Sequence, residues 1–435
     1  MSNRVPYQSQ SEAEQMRHLA VNHYLAGVKV AEIARRIGRS RQWVHDTLNR
    51  YRAEGRSGLT SRSRAPHTVH NRTPLEIETA AVRIRQTILS GEDPILRYAS
   101  IGAGLIRSEL DRMGLIAPSE RTINRILKRY GVQQPRRQRN ERKLPKDYPW
   151  PQAAEPNALH LFDFVTRVPK GDARFYGYHL MDQGRRWPYL EAHPNKNSQL
   201  VSQFLVNVWQ KIGLPQGIQM DNDIVWRGSS SGARTFSHIV RLCLAVGIEV
   251  IFTPTYKPEA NPIIESFNGV WAINFWQRTN FTDLAHVQQE LPNFQTYYRY
   301  RHPLDDFEDR KPVEVAPDFQ PTLLAETFDQ HHLERIPLTA GRIHFLCLVD
   351  AKATFRILNE SWTLPIDFTN KEAIRATIDT NEQRLLIYHQ ASAQDPPKLV
   401  HSWDYPVGET VHPLDSVFVR PKAQFWPVPS HSVDC

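Results

Sequence analysis

Three acidic residues, Asp163, Asp221 and Glu265, occupy positions where a carboxylate needs a physical reason. Asp163 interrupts LHLFDFV, residues 159–165, a run whose other side chains suit a covered β-strand. Buried without partners, a carboxylate costs several kcal/mol or gives up its charge. Asp221 follows the apolar run GIQM, and Glu265 lies within NPIIESFNG, where Asn261 can cap a helix and Pro262 can begin it. There are 57 residues between the first two acids and 43 between the last two. Taken singly, each reads as a surface or capping carboxylate; taken together, at element ends, they suggest one site. Three clustered carboxylates repel one another unless cations hold them, and hard divalent ions with oxygen ligands do this. Two magnesium ions about 4 Å apart, with manganese as a substitute, could activate an attacking oxygen and stabilise a leaving one in phosphoryl transfer.

The elements that must position these acids can be read from periodicity. Residues 158–166, 173–182 and 186–192 read as three strands, with turn residues at Lys170-Gly171-Asp172 and Gln183-Gly184. A helix is expected over 198–212, then a short strand ending at Asp221, a helix over 233–246, the strand IEVIFT and a loop entering the helix of Glu265. The order βββαβαβα predicts a mixed α/β sheet of the ribonuclease H type, in which functional side chains gather at strand ends and helix starts. The aromatics Phe267, Trp271, Phe275 and Trp276 recur at helical spacing and read as core, and Lys257 could touch a phosphate. Residues 283–302 read as a further helix, interrupted near Pro292.

Ahead of this region the chain is helical and basic. Residues 1–150 carry 28 Lys and Arg against 14 Asp and Glu, whereas the whole chain has a net charge of +8. A polyanion partner bound through the first third is implied. Ser11 with Glu14 fits a capping box, and VAEIARRIGRSRQWVHDTLNRY, residues 30–51, has the small Ala34, the turn at Gly38, a cap at Ser40 and inward Val44 and Leu48 of a helix-turn-helix. Arg39, Arg41, Gln42 and His45 then lie where a recognition helix meets a DNA groove. A second helical unit begins at Thr73-Pro74-Leu75-Glu76 and ends with the helix of Arg121 and Arg125, also expected at DNA. Between the units an arginine-bearing segment with Arg62 and Arg64 could follow a minor groove or a phosphate backbone.

The run from Asp163 through MDND to NPIIESFNG resembles the DDE catalytic core of retroviral integrases and bacterial insertion-sequence transposases, and more distantly phage Mu transposase. That resemblance implies that Asp163, Asp221 and Glu265 are the catalytic, metal-holding triad, with Asp163 bridging both ions. It departs from the family where Asp221-Asn222-Asp223 replaces the common DNG, and where Pro262-Ile263 replaces a glycine before the glutamate. No His-His-Cys-Cys zinc module precedes the core.

The expected organisation is multidomain: a helix-turn-helix domain over 1–56, a basic linker over 57–72, a second helix-turn-helix-like domain over 73–134, a basic proline-rich linker over 135–157, a ribonuclease H-like core over 158–320 and a small SH3-like β-barrel over 335–430. In that barrel Arg342, Lys352, Arg356 and Arg375 could contact DNA. With 40% hydrophobic and 23% charged residues, the composition is that of a folded chain. Its three cysteines, Cys243, Cys347 and Cys435, lack the spacing of a disulfide framework or a thiolate zinc site. No run approaches the length of a membrane span, so a cytoplasmic, nucleoid-associated bacterial protein is expected. Altogether the resemblance implies a DNA transposase that binds terminal inverted repeats, cuts 3′ ends, joins them to target DNA and works as a homo-oligomer in a synapse, with an ATP-dependent helper protein possible. The alternatives are a catalytically silent DNA-binding regulator of transposase descent and a ribonuclease H-like nuclease.

Overall fold

The computed structural model describes residues 12–61, 72–133, 151, 153–227, 234–254, 261–328, 336–365, 372–390, 397–421 and 426. The chain divides into two units, Met1–Arg72 and Thr73–Cys435. In the first, α1 (Glu12–Leu25), α2 (Val30–Arg36) and α3 (Arg41–Glu54) close on a core of Ala20, Val21, Ile33, Ala34, Ile37, Val44, Leu48 and Leu59. Gly38, at φ +66°, supplies the left-handed turn between α2 and α3, and the Ser40 hydroxyl caps α3 by accepting from Trp43 N at 3.1 Å. Ser11 of the expected capping box lies outside the described residues. Glu14 accepts from the Ser61 backbone N–H at 2.5 Å.

The second unit begins with α4 (Leu75–Ser90), α5 (Ala103–Arg112) and α6 (Glu120–Arg129). The first of these starts later than expected, since Pro74 stands at the N-cap and no side chain caps there. This helical group shares one core with the α/β body: Ile84, Tyr98, Ile106 and Ile123 pack in the same cluster as Phe267, Trp271, Phe275 and Phe294. Polar ties reinforce the seam, with Tyr98 donating to Glu290 at 2.5 Å and Ser100 N to the Tyr297 hydroxyl at 3.0 Å.

The body is built on β1 (Leu159–Arg167), β2 (Phe175–Asp182), β3 (Trp187–His193), α7 (Ser198–Ile212), β4 (Gly217–Met220), α8 (Ile224–Arg227), α9 (His238–Ala245), β5 (Glu249–Phe252), α10 (Pro262–Trp271), α11 (Leu284–Arg301) and α12 (Pro312–Val315). The helix expected over 233–246 is shorter because the Ser237 hydroxyl caps it, accepting from Val240 N at 3.1 Å. Pro292 does not interrupt α11. Val287, Leu291, Phe294, Tyr297 and Tyr298 bury one face of that helix and hold it continuous.

After the body come β6 (Arg342–Leu348), β7 (Thr354–Ile357), β8 (Glu360–Thr363), β9 (Ala373–Asp379), β10 (Arg384–His389) and β11 (Lys398–Asp404). They do not form the separate barrel that the sequence suggests. The strands run in the order β11-β10-β9-β6-β5-β4-β1-β2-β3 as one nine-stranded sheet, with β7 and β8 forming a second sheet of two. The joint is parallel pairing of β6 on β5, Val250 opposite Ile343 and Phe252 opposite Phe345. Without it β5 would leave an open edge of unpaired backbone. Arg375, expected at DNA, is buried, its guanidinium between the rings of Tyr388 and Trp426 at 4.5 and 4.0 Å.

Candidate active site

Asp163 sits in the middle of β1, where strand alternation sends Phe162 and Phe164 to one face of the sheet and Leu161, Asp163 and Val165 to the other. That other face is covered by α10, through Ile264 over Leu161 and through Phe267 and Trp271 beside Val165. The Asp163 carboxylate therefore points at a helix. Asn268 of α10 meets it there, donating from Nδ2 to Oδ2 at 2.7 Å, while the Phe164 N–H donates to Oδ1 at 2.8 Å. Burial, then the charge of Asp221 and more weakly that of Glu265, push the Asp163 carboxyl up to about 7, against the two hydrogen bonds. Residues far apart in the chain thus act on a single carboxyl group.

Asp221 follows the end of β4. Its Oδ1 accepts from the Trp226 indole N–H at 2.7 Å and from Asp223 N at 3.1 Å. Burial of the carboxyl raises its pKa, the two hydrogen bonds oppose that rise, Asp223 adds to it and Lys196 counters it. Asp223 is already engaged: its Oδ2 pairs with the Lys196 ammonium and its Oδ1 accepts from Val225 N at 3.1 Å. Lys196 lies over the rings of Phe164 and Tyr176, at 5.5 and 5.9 Å. Lys196 thus pairs with Asp223 and counters the rise at Asp221.

Glu265 lies in the first turn of α10, where the helix dipole favours a negative charge. Pro262 opens that helix as expected. The Asn261 side chain makes no capping bond; its carbonyl accepts from Glu265 N at 3.1 Å. Asn268 stands one turn beyond Glu265 and so shares its helix face. The amide oxygen of Asn268 lies 2.7 Å from Nδ1 of His179, which is the register partner of Asp163 on β2. Burial lowers the His179 pKa to about 4, so the ring is neutral.

All three donors are carboxylates, the oxygen set that hard divalent cations take. Burial raises the Asp163 pKa most, and the charges of Asp221 and Glu265 add to it; such a cation would relieve that added repulsion. The chemistry therefore fits magnesium, though the spacing is open: among the described residues no group of three His, Cys, Asp or Glu is drawn together closely enough to hold a metal ion.

Arg39, Arg41, Gln42 and His45 are exposed around the start of α3, and Arg121 and Arg125 are exposed on α6. Arg62, Arg64 and Lys257 lie outside the described residues. Phe267, Trp271 and Phe275 are core, as their spacing indicates. Sequence reasoning missed Asn268, His179, Lys196 and Trp226. Only Asn268 carried a signal, its helical spacing from Glu265.

Residues 11–60 match the homeodomain-like domain family, and residues 246–312, which include Glu265 and Asn268, match the integrase core domain family. Both matches support a relation to the DDE transposase and integrase superfamily. An integrase core behind a homeodomain-like domain makes this a DNA-processing protein of the transposase and integrase type. Solved structures similar to it include a simian T-cell lymphotropic virus intasome, 13% identical over 71% of this chain and 95% of that one, with a TM-score of 0.34. Two others are the catalytic core domain of BIV integrase, 12% identical over 37% and 93% with a TM-score of 0.27, and that of HTLV-2 integrase in complex with magnesium, 10% identical over 37% and 96% with a TM-score of 0.27. At such TM-scores the overlap is too loose to assign positions. Among the described residues no helix is long and apolar enough to cross a membrane.

Proposed function

We propose that this protein is a DNA transposase whose chemistry is carried by Asp163, Asp221 and Glu265. The observation that carries the reading is the raised pKa of Asp163, caused in part by the charges of Asp221 and Glu265 from remote points of the chain. A carboxylate held in a covered strand beside α10, and raised further by two other acids, is costly to keep unless it serves a purpose.

In this reading the three acids would hold two magnesium ions, which when bound supply Lewis-acid stabilisation of charge in phosphoryl transfer. The chain's own residues do the rest. Asn268 and the Phe164 N–H hold the Asp163 carboxylate by one hydrogen bond on each oxygen, leaving lone pairs on both. Trp226 orients Asp221, and Lys196 keeps Asp223 engaged and offsets negative charge beside Asp221. Water attacks the phosphodiester at the element end: a P–O bond forms to the water oxygen, and the departing 3′ oxygen takes the bonding pair and a proton. The freed 3′-hydroxyl then attacks a target phosphodiester in the same in-line manner, and no covalent enzyme intermediate is formed. Arg39, Arg41, Gln42 and His45 on the first unit, with Arg121 and Arg125, would bind the terminal repeats. Two DNA ends joined in concert require a homo-oligomeric synapse.

A plasmid carrying the gene with its flanking DNA, incubated with the purified protein and Mg2+, tests this. Cleavage at the edges of flanking inverted repeats, followed by a strand-joined product, is expected from the native protein. Asp163→Asn should abolish both while leaving binding to the end DNA within a few fold. Binding without cleavage by the native protein would favour a silent regulator, and cleavage without joining a plain nuclease.

A further inference from the structure

His179 is 1% exposed, so it does not reach substrate, and yet it is wired to Asp163. Its Nδ1 lies 2.7 Å from Asn268 Oδ1, and Asn268 Nδ2 lies 2.7 Å from Asp163 Oδ2. An asparagine amide can face either way, since its two ends have nearly the same shape. Turned over, this one would set its carbonyl against the carboxylate and its NH2 against the ring N–H of His179, two repulsive contacts. A hydrogen on Nδ1 therefore selects one orientation, in which only N–H bonds face Asp163.

The ring itself has little freedom. It meets Trp271 edge-on at 4.9 Å and Phe267 at 5.7 Å. Its far nitrogen faces Gly177, where an added Cβ would lie 2.9 Å from Nε2. Strand register supplies the rest, because His179 is the β2 residue directly opposite Asp163. We infer that His179 is a positioning residue for the Asp163 carboxylate, acting through the amide of Asn268, and that its Nδ1–H prepares Asp163 to take a divalent cation. This inference rests on the reading of Asp163 as a metal-holding residue. A hydrogen-bonding group behind a metal-holding side chain typically contributes ten-fold or more to affinity.

The test uses the full chain and Mn2+ alone, with binding followed by electron paramagnetic resonance. Asp163→Asn should lose Mn2+ binding. His179→Leu, which fills space without a donor, should weaken it about ten-fold or more, whereas His179→Asn, which keeps an N–H at the δ position, should recover most of that loss. Both variants give up the ring's packing, so a purely structural role would weaken the two alike. Nitrogen-15 spectra of the native protein, with the His179 signals assigned by their absence in His179→Asn, should show hydrogen on Nδ1 and none on Nε2. Equal weakening in the two variants, native affinity in His179→Leu, or hydrogen on Nε2 would overturn the inference while leaving the site intact. Native Mn2+ binding in Asp163→Asn would instead remove the reading beneath it, and the inference with it. If His179→Leu does not fold, the nitrogen spectra still decide.

Discussion

Phe164 and Trp226 form a parallel stack, their ring centroids 4.8 Å apart and their planes 14° from one another. Phe164 is the neighbour of Asp163 on its strand, and the indole N–H of Trp226 donates to Asp221 at 2.7 Å. One aromatic contact therefore ties together the mountings of two carboxylates that the chain separates widely. Lys196, lying over the Phe164 ring and paired with Asp223, adds a positive charge to the same assembly.

The indole hydrogen bond can be separated from the stack. Trp226→Phe keeps an aromatic ring on Phe164 and removes the donor to Asp221. A hydrogen bond to a charged group contributes about 1.5–3 kcal/mol, so cleavage should slow by roughly ten-fold or more while the melting temperature falls only slightly. Trp226→Ala should also cost about 3–5 kcal/mol of stability. Single-turnover cleavage beside thermal melts checks both, and native cleavage by Trp226→Phe would show that the indole does not orient Asp221.

A second expectation concerns pH. The Asp163 carboxyl is raised from 3.8 to about 7 in the folded, metal-free chain. The folded state therefore holds a proton that the unfolded state releases more easily. Its stabilising effect is complete below about pH 4 and is lost as pH rises through about 7. Relative to Asp163→Asn, the native protein without metal should lose melting temperature across that window. Cation binding must displace the same proton, so Mn2+ affinity should weaken progressively below pH 7. Melts and Mn2+ titrations at pH 5, 6, 7 and 8 would reveal either slope, and flat profiles would exclude the assigned ionisation.

Lys196→Met retains length and removes charge. The Asp221 carboxyl, already raised and partly countered by Lys196, should rise further, and Asp223 loses its ion-pair partner. Mn2+ binding should weaken more at pH 6 than at pH 8, because the further-raised Asp221 carboxyl takes up a proton more readily as pH falls. A uniform loss at both pH values would instead indicate damage to the loop, and circular dichroism would register it.

Much of this arrangement was legible in the sequence because it is local. The alternation LHLFDFV marked Asp163 as an acid within a covered strand, helical spacing marked Phe267, Trp271 and Phe275 as core, and Gly38 with Ser40 marked the turn and cap of the first unit. What was hidden depends on register and pairing. Nothing in YGYHLMD says that His179 lies opposite Asp163, since that follows from the β1–β2 alignment. Lys196 meets Asp223 only after α7 and β4 have returned the chain to the same edge. The strands from β6 onward alternate as barrel strands would, and only the pairing of Ile343 with Val250 shows that they continue the central sheet.

The helical group α4–α6 gives the last prediction. Its Tyr98, Ile106 and Ile123 share a core with Trp271, Phe275 and Phe294, so it serves as structure for the body. Removing residues 1–72 takes away a unit with its own core, and the fragment 73–435 should melt as the corresponding part of the full chain does. The fragment 151–435 would strip Tyr98 from the buried rings of Phe275 and Phe294, which it meets at 5.2 and 6.1 Å, and apolar surface uncovered in that way associates. That fragment should therefore be recovered as aggregate, while 73–435 remains soluble and retains Mn2+ binding. Light scattering of the two purified fragments decides it: a soluble, cooperatively melting 151–435 would show that α4–α6 is an independent module after all.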